Sequence, residues 1–240
     1  PIAKNELPSR EAYLNVLIAR CETIGILVFR NGIVKNNTRD SLSVDEFRGF
    51  VLWDDDHLVP AIFINSKDIP AAQIFTLAHE LAHIWIGKQG VLDALPFGHD
   101  PIEVLCNQIA ANILIPTKAF NDAWEKLGNQ WDLLSKQFLV SELAIARVAL
   151  THKKITQAEY IAKQQKTKQW FDAFREKQRE KPGGPAPLQT IPIRNSNRLT
   201  HAVLSQTVNG QMLLRDAARL LNTNPAQIMK LGKKYTGEAR

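Results

Sequence analysis

A chain of 240 residues, 45% hydrophobic and 22% charged, can bury a sizeable core plus one smaller unit and has the balance of an ordinary globular protein. Two cysteines, Cys21 and Cys106, make no disulfide framework, no apolar run approaches ~18 residues, and Lys4, Glu6, Arg10 and Glu11 stand where a signal peptide needs an apolar stretch; these features argue against secretion and membrane spanning and for a reducing cytoplasm. The net charge of +6 is uneven, with 13 Lys+Arg against 18 Asp+Glu over residues 1–150 and 17 against 6 over 151–240, so the C-terminal part is expected to meet a polyanion or an acidic partner, or to carry a solvated basic helix and tail.

The chain opens on Pro1 rather than Met, as expected of a processed product or a piece of a longer protein. Ser9 is placed to cap a helix running to about Glu22, with Tyr13, Leu14, Leu17, Ile18 and Cys21 on one face. Residues 25–34 read as a strand, an Asn31-Gly32 turn and a second short strand, and the polar stretch 36–45 reads as a loop. Phe47–Trp53 and Leu58–Ile64 flank Asp54-Asp55-Asp56 and predict a hairpin, the three acids serving as its turn rather than as a cation loop. The strand near Ala61–Asn65 is expected either to take up an extended substrate strand along its edge by main-chain pairing or to be covered or buried.

Asp68 and Pro70 signal the start of a helix that Gly87 and Gly90 close. Inside it stands His79-Glu80-Leu81-Ala82-His83. Positions i and i+4 lie one above the other on a helix, so both imidazoles can converge on one ion, while Glu80 on the flank can reach a water beside it. That is the H-E-x-x-H arrangement of two zinc ligands and a general base. The competing reading is a pair of core histidines, which would require two titratable rings to be buried one turn apart. A catalytic zinc needs a third protein ligand and an open position, and Asp93, His99, Asp100, Glu103 and Cys106 are the candidates. Ile86 and Gln89 occupy the positions where a metzincin has Gly and His, which excludes that pattern. Glu103 is preferred because it opens the next helical run, which ends before Pro116. Asn107, one turn on, is placed to orient a ligand imidazole from the second layer, and Cys106 is either a small buried residue or an alternative thiolate ligand. Residues 91–101 are expected to form a loop over the metal, with His99 in it.

These residues also carry a family resemblance. FTLAHELAH, preceded by PAIFIN and followed by E-x-x-C-N-x-x-A-A-x-x-L-x-P, resembles the ImmA/IrrE metallo-endopeptidases over at least residues 45–117. The resemblance implies zinc on His79, His83 and Glu103 with Glu80 as base, and a fusion to, or gene neighbourhood with, a helix-turn-helix repressor that is cut to derepress genes. Cys106 departs from the pattern, since Ala is frequent there.

Thr117 opens another helical region, and Trp131–Leu150 reads as two short helices with a break at 139–141, where Ser141 is a natural cap. The break fits a helix-turn-helix, although its second helix has Arg147 alone as a basic residue, which favours docking over base reading. Residues 155–180 read as a charged helix with an apolar patch of Trp170, Phe171 and Phe174. PGGPAP at 182–187 marks a boundary, and Leu199–Val208, Leu213–Leu221 and Pro225–Leu231 read as helices of a small basic unit that can touch DNA phosphates or cap the fold.

The expected class is α+β: a zincin-like metallopeptidase domain over 1–127 with an antiparallel sheet and the H-E-x-x-H helix, a helix-turn-helix-like region over 128–181, and a basic helical unit over 182–240. The expected function is a zinc-dependent endopeptidase acting on a helix-turn-helix repressor or antitoxin, with possible DNA contact through residues 151–240. The alternatives are a DNA-associated regulator with a non-proteolytic zinc site and a component of a toxin–antitoxin pair.

Overall fold

The computed structural model describes residues 4, 7–34, 37–53, 59–88, 91–93, 100–179 and 187–236. Among these it has six strands, β1 (Leu27–Asn31), β2 (Ile33–Val34), β3 (Asn37–Ser41), β4 (Phe47–Leu52), β5 (Ala61–Asn65) and β6 (Val91–Asp93). The helices are α1 (Arg10–Thr23), α2 (Pro70–Ile86), α3 (Pro101–Leu114), α4 (Thr117–Leu127), α5 (Trp131–Phe138), α6 (Glu142–Thr151), α7 (Gln157–Arg179), α8 (Pro187–Arg194), α9 (Asn197–Val208), α10 (Leu214–Leu220) and α11 (Pro225–Thr236). The α+β class holds. The chain gathers into two compact units, each built from separate stretches: residues 1–16, 69–85 and 97–184 form one, and residues 17–68, 86–96 and 185–240 the other.

The first unit is helical. Its α2 is buried along most of its length, from Ala71 to His83. It ends where Gly87 takes φ +67°, a left-handed conformation open to glycine without strain. Asp100 caps α3 by accepting a hydrogen bond from the Ile102 amide, with Pro101 as the first helical residue, where its missing N–H costs nothing. The break expected between α5 and α6 is present: Ser141 Oγ accepts from the Ala144 amide. Helix α6 packs against both α5 and α7. Arg147 lies over the Tyr160 ring at 5.7 Å, and Lys163 of α7 pairs with the Glu142 carboxylate. On α7, Trp170 is 56% exposed and meets Phe171 edge-on. The side chain of Phe174 lies outside the described residues.

The second unit contains a four-stranded sheet of order β1-β5-β4-β6 and a separate β2-β3 ribbon. The expected hairpin is present as β4 and β5, antiparallel with Phe50 opposite Phe63, their rings stacked 5.0 Å apart. The sheet is mixed rather than purely antiparallel, because β1 runs parallel to β5. Three expectations are corrected here. First, β5 is not an edge: it is hydrogen-bonded to β1 on one side and β4 on the other, so it has no open side for a substrate strand. Second, β1 and β2 do not form a hairpin across Asn31-Gly32. The Asn31 side chain accepts from the Gly32 amide, and a Cβ at Gly32 would come within 2.8 Å of Ser66 Oγ, so this glycine serves close approach rather than a tight turn. Third, the polar stretch 36–45 contains β3, paired antiparallel with β2, and β6 lies within the expected loop 91–101. Residues 54–58, with the three-acid turn, and 94–99, with His99, lie outside the described residues.

The C-terminal helices of this unit share one core of Ile191, Val203, Leu204, Ala217, Ala218, Leu221, Ile228 and Leu231. Helix α8 is an addition to the expected set, and it carries Pro192 inside it. Helices α8 and α9 lie against β1. Ser196 Oγ donates to the buried Glu22 carboxylate at 2.6 Å, tying the start of α9 to the end of α1. Both cysteines are free and buried. No helix among the described residues is long and apolar enough to cross a membrane.

Candidate metal centre

Two i, i+4 pairs on two helices of the first unit build the site: His79 and His83 on α2, Glu103 and Asn107 on α3. The cap at Asp100 places Glu103 in the first turn of α3, where a carboxylate is favoured by the helix dipole. One ligand atom from each of His79, His83 and Glu103 lies within 4.8 Å of the others. Glu103 Oε2 is 3.0 Å from His79 Nε2, and Oε1 is 3.2 Å from His83 Nε2. The two Nε2 atoms face each other at 3.1 Å. Both histidines are buried, at 0% and 1% exposure, while the Glu103 side chain is 24% exposed, so the cluster opens to solvent on the α3 side.

The donor set fits a cation. Asn107 Oδ1 sits 3.1 Å from His79 Nδ1; as an acceptor it holds the proton on Nδ1 and leaves the Nε2 lone pair aimed into the cluster. Burial first, and the neighbouring His83 second, hold the His79 imidazole down to about 4, which keeps it neutral, the form that binds metal. Two nitrogen bases and a carboxylate facing one point repel each other unless positive charge lies between them. Phe75, one turn before His79, packs its ring 6.5 Å from the imidazole and limits its swing. The i−4 spacing of Phe75 from His79 is the one sequence signal of that support.

Glu80 is fully buried, and neither carboxylate oxygen has a hydrogen-bond partner among the described residues. Burial, with the charge of Glu103 added, pushes its carboxyl up to about 9. A buried polar group without a partner is rare and costly, and marks a place where something outside the chain is expected to complete the bonding. Of the other ligand candidates, Asp100 is engaged as the α3 cap, and the Asp93 side chain and all of His99 fall outside the described residues. Cys106 is buried with its thiol pushed up to about 11, by burial first and then by Glu103, Glu80 and Asp100, and it is not among the converging ligand atoms. Its place is in the packing of α3, beside the cluster.

The profile of a family described as the IrrE N-terminal-like domain, a peptidase family, matches residues 21–149 and so takes in both helices of the cluster. The chain belongs to the ImmA/IrrE metallopeptidase family. A second profile, described as a domain of unknown function, matches residues 195–234. Among curated proteins, the radiation response metalloprotease IrrE of Deinococcus deserti is 37% identical over 86 residues, covering 32% of this chain and 29% of that protein. The protein of the same name from Deinococcus radiodurans is 37% identical over 83 residues, covering 32% and 25%. The matched stretch therefore spans less than a third of either relative. For an ImmA/IrrE metallopeptidase, a metal is implied, and the His79–His83–Glu103 cluster is where this chain can hold it.

Proposed function

We propose that this chain is a zinc-dependent endopeptidase with His79, His83 and Glu103 as metal ligands and Glu80 as the general base. The observation that supports this best is the convergence of the three ligand atoms within 4.8 Å beside a buried carboxylate that has no other partner among the described residues. Two histidines and one glutamate are a ligand set of catalytic zinc, which leaves a fourth position open. Held there, zinc would supply a Lewis acid able to bring the pKa of a bound water to about 7 and to polarise a carbonyl.

The chain's own residues then carry the proton. The raised value of Glu80 belongs to the metal-free chain. A divalent cation on the three ligands would lower it and leave the carboxylate ionised, and Glu80 would then take a proton from the attacking water and deliver it to the leaving amine as the C–N bond breaks. The carbonyl carbon gains the hydroxyl, the nitrogen gains the hydrogen, and Glu80 returns to its starting state. Asn107 and Phe75 hold His79 in one tautomer and one orientation throughout.

The substrate class is a helix-turn-helix repressor or antitoxin encoded beside or fused to this chain, whose cleavage relieves repression. This part of the reading follows from the family. The test is to incubate the purified, zinc-loaded chain with that neighbouring repressor and follow fragments by mass spectrometry. Wild type is expected to cut it at one bond, and Glu80→Gln to retain a full complement of zinc while losing about 10²-fold or more in rate. Cleavage by Glu80→Gln at the wild-type rate removes Glu80 from its role, and absence of stoichiometric zinc removes the metal site.

A further inference from the structure

Residues 187–236 carry seven Lys+Arg and one acid, Asp216. Within them, α10 and α11 are joined by four residues, 221–224, and have the anatomy of a helix-turn-helix. Ala217 and Ala218, both buried, are the small residues of α10 in the shared core, where they allow close approach to Ile228 and Leu231 of α11. Leu221 is fully buried under the turn. Asn222 takes φ 47°, the left-handed position that ends α10, and the Thr223 amide closes back on the Ala218 carbonyl at 2.8 Å. Asn224 Oδ1 then accepts from the Gln227 amide at 3.0 Å and starts α11.

The face of α11 opposite Ile228 and Leu231 is bare. Ala226, Met229, Lys230 and Lys233 follow one another along it at helical spacing, all exposed, with Met229 at 53%. On α10, Arg215 and Arg219 stand one turn apart and are also exposed. A cationic stripe along one helix, flanked by two arginines on the helix before it, complements a polyanion of regular spacing. The earlier helix pair lacks this arrangement, because α6 has α5 on one side and α7 on another, and its one basic residue, Arg147, lies over Tyr160.

We propose that α10–turn–α11 is a helix-turn-helix that binds duplex DNA, with α11 in the major groove. Ala226, Met229 and Lys230 face the base edges: Met229 offers an apolar contact to a thymine methyl, and Lys230 a donor to guanine O6 and N7. Arg215, Arg219 and Lys233 take the phosphates, fixing register without reading sequence. This assignment does not depend on the metal site, and it gives the basic C-terminal part of the chain a specific partner.

The test uses the full chain and a fluorescein-labelled mixed-sequence duplex of about 30 base pairs, followed by anisotropy across a salt series from about 50 to 200 mM. Wild type is expected to bind with a steep salt dependence. Lys230→Ala with Lys233→Ala, and separately Arg215→Ala with Arg219→Ala, are expected to weaken binding at least about tenfold and to flatten the salt slope by roughly one per phosphate contact removed. All four side chains are exposed, and unchanged circular dichroism confirms that the variants fold. Lys166→Ala with Lys168→Ala, exposed positions on α7, should bind as wild type does. The assignment is overturned if the duplex does not bind, if the α10 and α11 variants bind unchanged, or if the α7 variant is equally weakened. It is also overturned if polyglutamate displaces the duplex at equal charge, which would mark the surface as one for acidic proteins.

Discussion

Glu80 shows how one residue can be costly to the fold and necessary to the chemistry. Its folded-state carboxyl, up at about 9, lies far above the 4.5 it has when unfolded, so across that interval the folded chain holds a proton that the unfolded chain has released. Stability from this group is complete below 4.5 and is lost as pH rises through 9. Across pH 6.5 to 8 the unfolded His79 is still releasing its proton and the folded Lys4, held down to about 8 by burial, begins to; each raises stability by about 0.4 kcal/mol against the Glu80 loss. Between pH 6.5 and 8, therefore, chelator-treated protein should lose about 1 kcal/mol net in denaturant unfolding, and Glu80→Gln should remove that loss. A second prediction concerns Asn107. Asn107→Leu removes the acceptor from His79 Nδ1, and zinc affinity in a competition titration should fall about 10- to 100-fold, with the fold unchanged by circular dichroism. The residues of this centre were legible in the sequence because each relation is local: His79 to His83 and Glu103 to Asn107 are both one helical turn. The pairing of the two turns is not local; the position of Glu103 at the opening of a helical run and the family resemblance point to it.

At the level of elements, α3 depends on its first residue. Asp100 caps the helix that presents Glu103, so Asp100→Ala should cost about 1 kcal/mol in thermal or urea unfolding and loosen zinc through a frayed first turn, while Asp100→Asn should restore most of both. The Ser141 cap of α6 and the apolar periods of α2, α3, α5 and α6 could be read from the chain because they lie within a few residues of each other, whereas Asp100, a ligand candidate in the sequence, is the cap of α3. The strands were less legible. Residues 37–41 are polar and pair only with the two-residue β2, so neither hydrophobic alternation nor length marks them. The three-residue β6 acquires its identity from β4, far away in the chain. The interior position of β5 is a property of order in the sheet, set by the parallel return of β1, which no local pattern encodes. Helix α8 contains Pro192, a residue that argues against a helix in any reading by propensity.

On the scale of the molecule, metal binding should add to the stability of the fold. Residues 69–85 and 97–184 belong to the same unit, so all three ligands do too. In calorimetry, zinc at about 100 times its dissociation constant should stabilise the folded chain by about 2.7 kcal/mol. A chelator should reverse the gain. The position of β1 has a different kind of consequence. Its one strand partner among the described residues is β5, and α8 and α9 lie against it. A chain trimmed before α8 would leave Leu27–Asn31 as a naked border able to recruit strands from neighbouring copies, so the C-terminal helices also act as a safeguard against clumping.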